Sequence, residues 1–442
     1  VVTAQAYSYF IRKAGLDKKI KELLERINYE DTEQLDKITK EIRDLILQSK
    51  FPKEMENEII EAYDALGTEE TDFRLGDVSD ILKSPQEPIF VAVRSSATTE
   101  DLAEASFAGQ QDSFMNVKGN SYLIEHIKKC LASLFTSRAT YYRNKKGFKH
   151  EDAKLAVVVQ KMIDSDKSGV IFSKDPSHKK NNVVMEAVWG LGDGIVSGRI
   201  TPDRYNVSPN LEIIDKSIAD KKIAITRDSS GNQEIVNLRE HRSNAQVLTE
   251  TEIKKLAEIA LRLENHYKKP QDIEFAIEGE EIYIVQTRPI TTIEKRVDEG
   301  SDMKGEVILT GLGASPGVAS GKIKIIFSMK DLHELRTGDI LVTKMTNPDM
   351  VVGMQKSAAI VTDDGGLTAH AAIVSREMGI PAVVGTHIAT TKLKEGEIIT
   401  VDGTNGKIYK GKTSENIKKD VLPVIVKTKT EIKVMVDLPS FA

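Results

Sequence analysis

The spacing of apolar residues changes character near residue 88, and that change limits the folds open to this chain. Before it, AYSYFIRKAGLDKKIKELLERI, EQLDKITKEIRDLILQ and FPKEMENEIIEAYDAL repeat apolar positions at three- and four-residue intervals. That is the pattern of amphipathic helices, so residues 1–66 are expected to be helical. Asp31 and Thr32 stand where a cap would open the second of these helices, and Pro52 where the third begins. Residues 67–87 are polar and turn-rich and read as a loop. Beyond it, PIFVAVRSS, KLAVVVQKMI, SGVIFS and NVVMEAV are short β-branched runs bounded by turn residues. A helical stretch follows at 248–269, then DIEFAIEGEEIYIVQTRP. Strands mixed with helices, without regular βαβ alternation, predict an α+β arrangement rather than a doubly wound sheet.

A second boundary falls at 293–306, IEKRVDEGSDMKGE, which is charged and lacks apolar periodicity. Residues 307–412 then read as a separate small β/α unit: strands VILTGLGA, GKIKIIF and DILVTKM, a helix after Thr368, then PAVVG and GEIITVDG. The chain's 442 residues also predict two or three domains. The expected architecture is therefore a multidomain α+β and α/β protein, with units at 1–292 and 307–412 joined by a linker.

Composition excludes several classes. With 40% hydrophobic and 29% charged residues the chain has material for real cores. A net charge of −5 argues against a nucleic-acid partner, which needs a basic field. One cysteine, Cys130, excludes a disulfide scaffold and a cysteine zinc site, and is read as a buried apolar residue. No apolar run approaches the roughly 18–20 residues of a membrane span. Few thiols and no signal peptide point to the cytoplasm. Residue 1 is Val and the last residues read as a strand leading onward, so a piece of a longer polypeptide is expected.

Two glycine-rich runs are decoys. GVASGKI around Lys322 resembles a Walker A loop, but Pro316 stands where its first glycine is needed and Ile323 where a Mg²⁺-binding hydroxyl is needed. GLGDGIVSG at 190–198 resembles a dinucleotide fingerprint without an evident helix to open.

Three other segments carry chemistry. In VRSSATTEDLAEASFAGQQDSFMNV (93–117), a strand ends in Arg94 and Gly109 precedes a second strand. Arginine offers a multi-donor fork to phosphate oxygens, and glycine lets backbone N–H groups approach. The plain alternative is a hairpin with a surface arginine. DIEFAIEGEEIYIVQTRP (272–289) reads as a hairpin; a three-residue loop at 279–281 would set Glu274 opposite Gln286 and Asp272 opposite Arg288. Two neighbouring oxygen ligands suit Mg²⁺, which leaves its remaining positions to water or nucleotide phosphate. The plain alternative is a polar outer face. In VTDDGGLTAHAAIVSREMGIPAVVG (361–385), Thr368 is placed as the N-cap of a helix 369–378, with Gly379 ending it and Pro381 preventing its continuation. His370 then lies in the first helical turn, where free N–H groups favour an anion and the local field lowers the imidazole pKa. A histidine so placed suits a covalent phosphate carrier; the alternative is an incidental histidine. His126, His150, His178, His241, His266, His333 and His387 read as surface or packing residues.

These three motifs resemble the phosphoenolpyruvate synthase family and, less closely, pyruvate phosphate dikinase. The resemblance covers nearly the whole chain in the family's domain order. It implies an ATP-grasp nucleotide domain followed by a swivelling phosphohistidine domain. It implies ATP contacts at Arg94, Gly109, Ser113, Phe114, Gln160, Glu274, Gln286 and Arg288, with Mg²⁺ held by Glu274 and Gln286. It implies that His370 takes the pyrophosphoryl group of ATP, releasing AMP. Water then removes the outer phosphate, and pyruvate accepts the remaining phosphoryl group. It further implies a regulatory kinase acting on Thr368 and a homo-oligomeric full-length protein. The family's N-terminal Gly-Gly-Lys segment and C-terminal (β/α)₈ barrel have no counterpart here; residues 413–442 would be a hinge towards that barrel, and the chain alone is not expected to complete the reaction. A linker of about 14 residues reaches roughly 45–50 Å, enough for a swing between two sites. Val352 in TNPDMVVGM departs from the family's pattern as a minor loop change. Dikinase, a rifamycin-type antibiotic phosphotransferase and a nucleotide-binding scaffold are the competing expectations.

Overall fold

A computed structural model of the chain describes residues 1–29, 31–67, 88–98, 101–102, 105–106, 111–145, 147–176, 181–228, 230–290, 305–347 and 350–412. The expected loop at 67–87 (apart from Gly67), Gly109, the linker at 293–306 (apart from 305 and 306) and the hinge at 413–442 lie outside these residues. The described chain is mixed α+β with several sheets.

The first part is helical, as its periodicity demands. Helices Ala4–Lys13, Asp17–Glu25, Thr32–Gln48 and Lys53–Leu66 turn their apolar stripes inward. Asp31 caps the third, its Oδ1 accepting the N–H groups of Glu33 and Gln34, and Pro52 opens the fourth. Phe10, Ile42 and Ile46 meet Val91, Val93, Leu155 and Val157 in one core. Those strand residues belong to a three-stranded antiparallel sheet in which Phe90–Ala97 is central, between Phe114–Lys118 and Leu155–Lys161. Two helices are not anticipated from sequence: Asn120–Ala132 supplies Leu123, Ile127 and Leu131 to this core and buries Cys130 in it, and Ser137–Lys145 packs Tyr141 against it.

A six-stranded antiparallel sheet follows, in the order 281–289, 271–278, 167–172, 183–189, 203–207, 213–217. One face carries Ile171, Met185, Ile273 and Phe275 and is covered by helix Glu250–Tyr267 through Ile253, Leu256 and Ala260. That helix starts on a capping box of Thr249 and Glu252. The opposite face carries Val170, Phe172, Val184 and Val188 and packs on Leu367, Ala371 and Val374. Strand Val183–Trp189 therefore has both faces buried, and Glu186 shares the second face with Val184 and Val188.

The last part holds an eight-stranded sheet around the parallel strands Val318–Ile325, Ile340–Thr343, Ala359–Thr362 and Ala382–Val384. Lys322 lies within the first of these, so GVASGKI is strand and not a phosphate loop. GLGDGIVSG forms only the four-residue helix Asp193–Val196. The helix expected at 369–378 runs His370–Met378, with Ala369 and not Thr368 at its N-cap; Gly379 closes it in the left-handed conformation. Among the described residues no helix is long and apolar enough to cross a membrane.

Candidate functional site

The hairpin at the edge of the six-stranded sheet builds half of the site. Its turn is tighter than expected: Glu278 pairs directly with Glu281, leaving two turn residues rather than three. A bulge then restores the expected register, because Phe275 faces Ile284 while Glu274 faces Gln286, leaving Val285 as the extra residue. Asp272 accordingly faces Arg288. The carbonyl of Val285 accepts the side-chain amide of Gln160 at 3.0 Å, tying the hairpin to the three-stranded sheet.

Arg94 makes the second tie. It stands on Phe90–Ala97, whose Ala92 pairs with Gln160, so Arg94 and Gln160 share a face. Its Nη1 donates to Gln160 Oε1 at 3.3 Å, and its Nη2 donates both to Glu274 Oε2 at 3.0 Å and to Gln286 Oε1. Four residues named from sequence thus converge from two sheets. One rung along, Arg288 donates through Nε and Nη2 to Asp272 Oδ2 at 2.9 and 2.8 Å. The Asp272 carboxylate holds the Arg288 guanidinium pKa above its usual value. Phe114 begins a strand beside Val93, next to Arg94, while Ser113 is exposed.

The other half is the start of helix His370–Met378. Thr346 Oγ1 lies 2.9 Å from His370 Nδ1, and the ring's Nε2 is buried without a hydrogen-bond partner among the described residues. The imidazole pKa is pushed down to about 4. Burial is the larger cause and the charge of Arg138 the second. Arg138 is itself held by Asp112 Oδ1.

Glu186 joins the halves. Its carboxylate accepts the N–H groups of Leu367 at 3.1 Å and Thr368 at 3.3 Å, and the Thr368 hydroxyl. The Thr368 side chain is thus committed to Glu186, which is why it does not cap the helix. Gly366 is required here, since a Cβ on it would lie 2.9 Å from the Glu186 carboxylate oxygens. Arg376 donates to Leu367 O from the other side, and its guanidinium lies 5.5 Å from the Phe172 ring centroid. Thr346, Glu186 and Arg138 are not legible as site residues, because each reaches the histidine loop or its ring only through tertiary packing; Arg376 lies on the histidine's own helix, but its turn back onto Leu367 O is not marked in the sequence.

A family model for the pyruvate phosphate dikinase AMP/ATP-binding domain matches residues 1–306. The chain belongs to this family. A second model, the mobile domain of PEP-utilising enzymes, matches residues 335–406, which include His370. A probable phosphoenolpyruvate synthase of Archaeoglobus fulgidus is 48% identical over 454 residues, covering 100% of this chain and 58% of that protein. One from Methanothermobacter thermautotrophicus is 42% identical, covering 100% of this chain and 64% of its own. The phosphoenolpyruvate synthase of Pyrococcus furiosus is 41% identical, covering 100% and 59%. The chain spans somewhat more than half the length of these relatives. Both halves of the candidate site lie in regions matched by these two models.

Proposed function

We propose that this chain carries the ATP half-reaction and the phosphohistidine carrier of a phosphoenolpyruvate synthase. An ATP-grasp domain (1–292) binds ATP in the cleft between the two sheets bridged by Arg94, and a linker (293–306) lets the domain 307–412 swivel. Residues 413–442 lead towards a pyruvate-binding barrel, and the whole enzyme works as a cytoplasmic homo-oligomer. The observation that carries this reading is the His370 ring: neutral, fixed at Nδ1, unpartnered at Nε2 among the described residues, and within the field of Arg138. With Nδ1–H donating to Thr346, Nε2 keeps its lone pair. That nitrogen forms a bond to the β-phosphorus of ATP as the bond to the α-phosphate oxygen breaks, and AMP leaves. Water cleaves the outer phosphoanhydride, giving phosphate. The remaining phosphoryl group then passes to the enol oxygen of pyruvate, regenerating the imidazole.

Arg94, Gly109, Ser113, Phe114, Gln160 and Arg288 are the nucleotide contacts in this reading, with Arg94 and Arg288 balancing phosphate charge. Glu274 Oε2 and Gln286 Oε1 converge on one guanidinium nitrogen, and such a pair of hard oxygen donors fits Mg²⁺. When bound, Mg²⁺ would spread the phosphate charge. A regulatory kinase reaching Thr368 needs the loop free of Glu186, because Thr368 is 2% exposed. The test is AMP release from ATP without pyruvate. About one AMP per chain in a single burst, abolished in His370→Asn, supports the carrier; AMP formation unchanged in that variant refutes it.

A further inference from the structure

Arg94 occupies the oxygens that a divalent cation would need. A single nitrogen, Nη2, takes both Glu274 Oε2 and Gln286 Oε1, and Nη1 takes Gln160 Oε1. The guanidinium is largely enclosed, its side chain 18% exposed. Its positive charge therefore sits between one carboxylate and one amide oxygen, the donor pair of the proposed metal site. A second cation cannot share that pair while the first remains, since like charges at such separation repel strongly in a partly desolvated cleft. Nor is Arg94 easily displaced by a free metal ion, because it would leave charge-assisted hydrogen bonds with nothing in exchange. A polyphosphate anion changes that balance by offering the guanidinium a new, bidentate partner.

We propose that Arg94 is a built-in stand-in for the divalent cation: it closes the Glu274–Gln286 pair to free metal and releases it when a nucleotide's phosphates draw the guanidinium away. The proposal rests on reading Glu274 and Gln286 as the metal ligands. Its consequence is order. The chain discriminates against bare divalent ions and takes metal and nucleotide synergistically, so the cleft is not filled by metal before substrate arrives.

The test is Mn²⁺ binding to the full chain, read from the paramagnetic resonance of free Mn²⁺ with and without adenylyl imidodiphosphate, a readout independent of turnover. Arg94→Met is expected to bind Mn²⁺ without nucleotide about tenfold more tightly than the unaltered chain, the scale of one charge-assisted hydrogen bond. The gain disappears in Arg94→Met combined with Glu274→Gln. Arg288→Met is the charge control. It removes an equal charge and also frees the Asp272 carboxylate, so it gives an upper bound on what charge alone does. Arg94→Met binding no more tightly than the unaltered chain, or no more tightly than Arg288→Met, overturns the proposal. If Glu274→Gln and Gln286→Leu leave Mn²⁺ affinity unchanged in the presence of the nucleotide analogue, the metal reading itself falls and the proposal with it. Arg94→Gln serves the same comparison should Arg94→Met fail to fold.

Discussion

The hydroxyl of Thr368 donates to the carboxylate of Glu186, a residue 182 positions away in the chain. This bond, with the two backbone N–H groups on the same carboxylate, fixes the loop that delivers His370. Replacing the hydroxyl by a negative charge sets two carboxylates against each other in a buried place. Thr368→Asp is therefore expected to slow ATP-dependent labelling of His370 by at least about tenfold, whereas Thr368→Ser, which keeps the donor, stays close to the unaltered rate. Single-turnover labelling measures both. Equal rates in the two variants would show that the contact does not position the loop.

Acid sensitivity follows from His150. Arg143 Nε donates to its Nδ1 at 3.2 Å, so Nε2 carries the proton and donates to the Tyr29 oxygen at 2.7 Å. Protonating Nδ1 would set a second cation against the guanidinium. Burial first, and the Arg143 charge second, push the imidazole pKa down from 6.5 to about 4. The unfolded chain takes up a proton below about pH 6.5 that the folded chain refuses, so this stability is present above that pH and is lost as pH falls towards 4. His370 adds a loss of the same sign over the same window. Urea unfolding between about pH 7.5 and about pH 5 should show the decline, with a shallower slope in His150→Phe. An unchanged slope in that variant would remove His150 from the account.

A buried ion pair braces the outer strands of the six-stranded sheet. Lys221 and Asp203 side chains are both fully buried and bonded to each other. Asp203 also accepts from Tyr205 Oη at 3.0 Å and from the N–H groups of Val247 at 2.8 Å and Ala219 at 3.0 Å. Lys221→Met leaves that carboxylate without its counter-charge and should cost about 3–5 kcal/mol in urea unfolding. Lys221→Met together with Asp203→Asn should recover part of the loss. A single variant as stable as the unaltered chain would contradict the bracing role.

The sequence-based expectations and the structure part company in instructive places. Alternation along 271–289 makes the pairing of Glu274 with Gln286 legible, because strand period and turn position leave few registers. The route to it is not legible: a tighter turn and a bulge at Val285 give the same register as a longer turn and no bulge. The helix at His370 is bracketed by a glycine pair and by Gly379, which only a turn or a C-terminus explains. Thr368 misleads because a good capping residue next to a helix caps it only if no stronger acceptor is near, and Glu186 arrives from another sheet. Helix Asn120–Ala132 escapes notice because its core contacts, Leu123, Ile127 and Leu131, sit in a stretch broken by Tyr, His and Lys.

The central claim is that one imidazole carries phosphorus from ATP. Incubating the chain with ATP labelled at the β-phosphorus, then locating the label by proteolysis and mass spectrometry, tests it most directly. The account predicts acid-labile, alkali-stable label on the peptide that holds His370 and none in His370→Ala. Label of equal extent in His370→Ala, or label on any other residue, would contradict it.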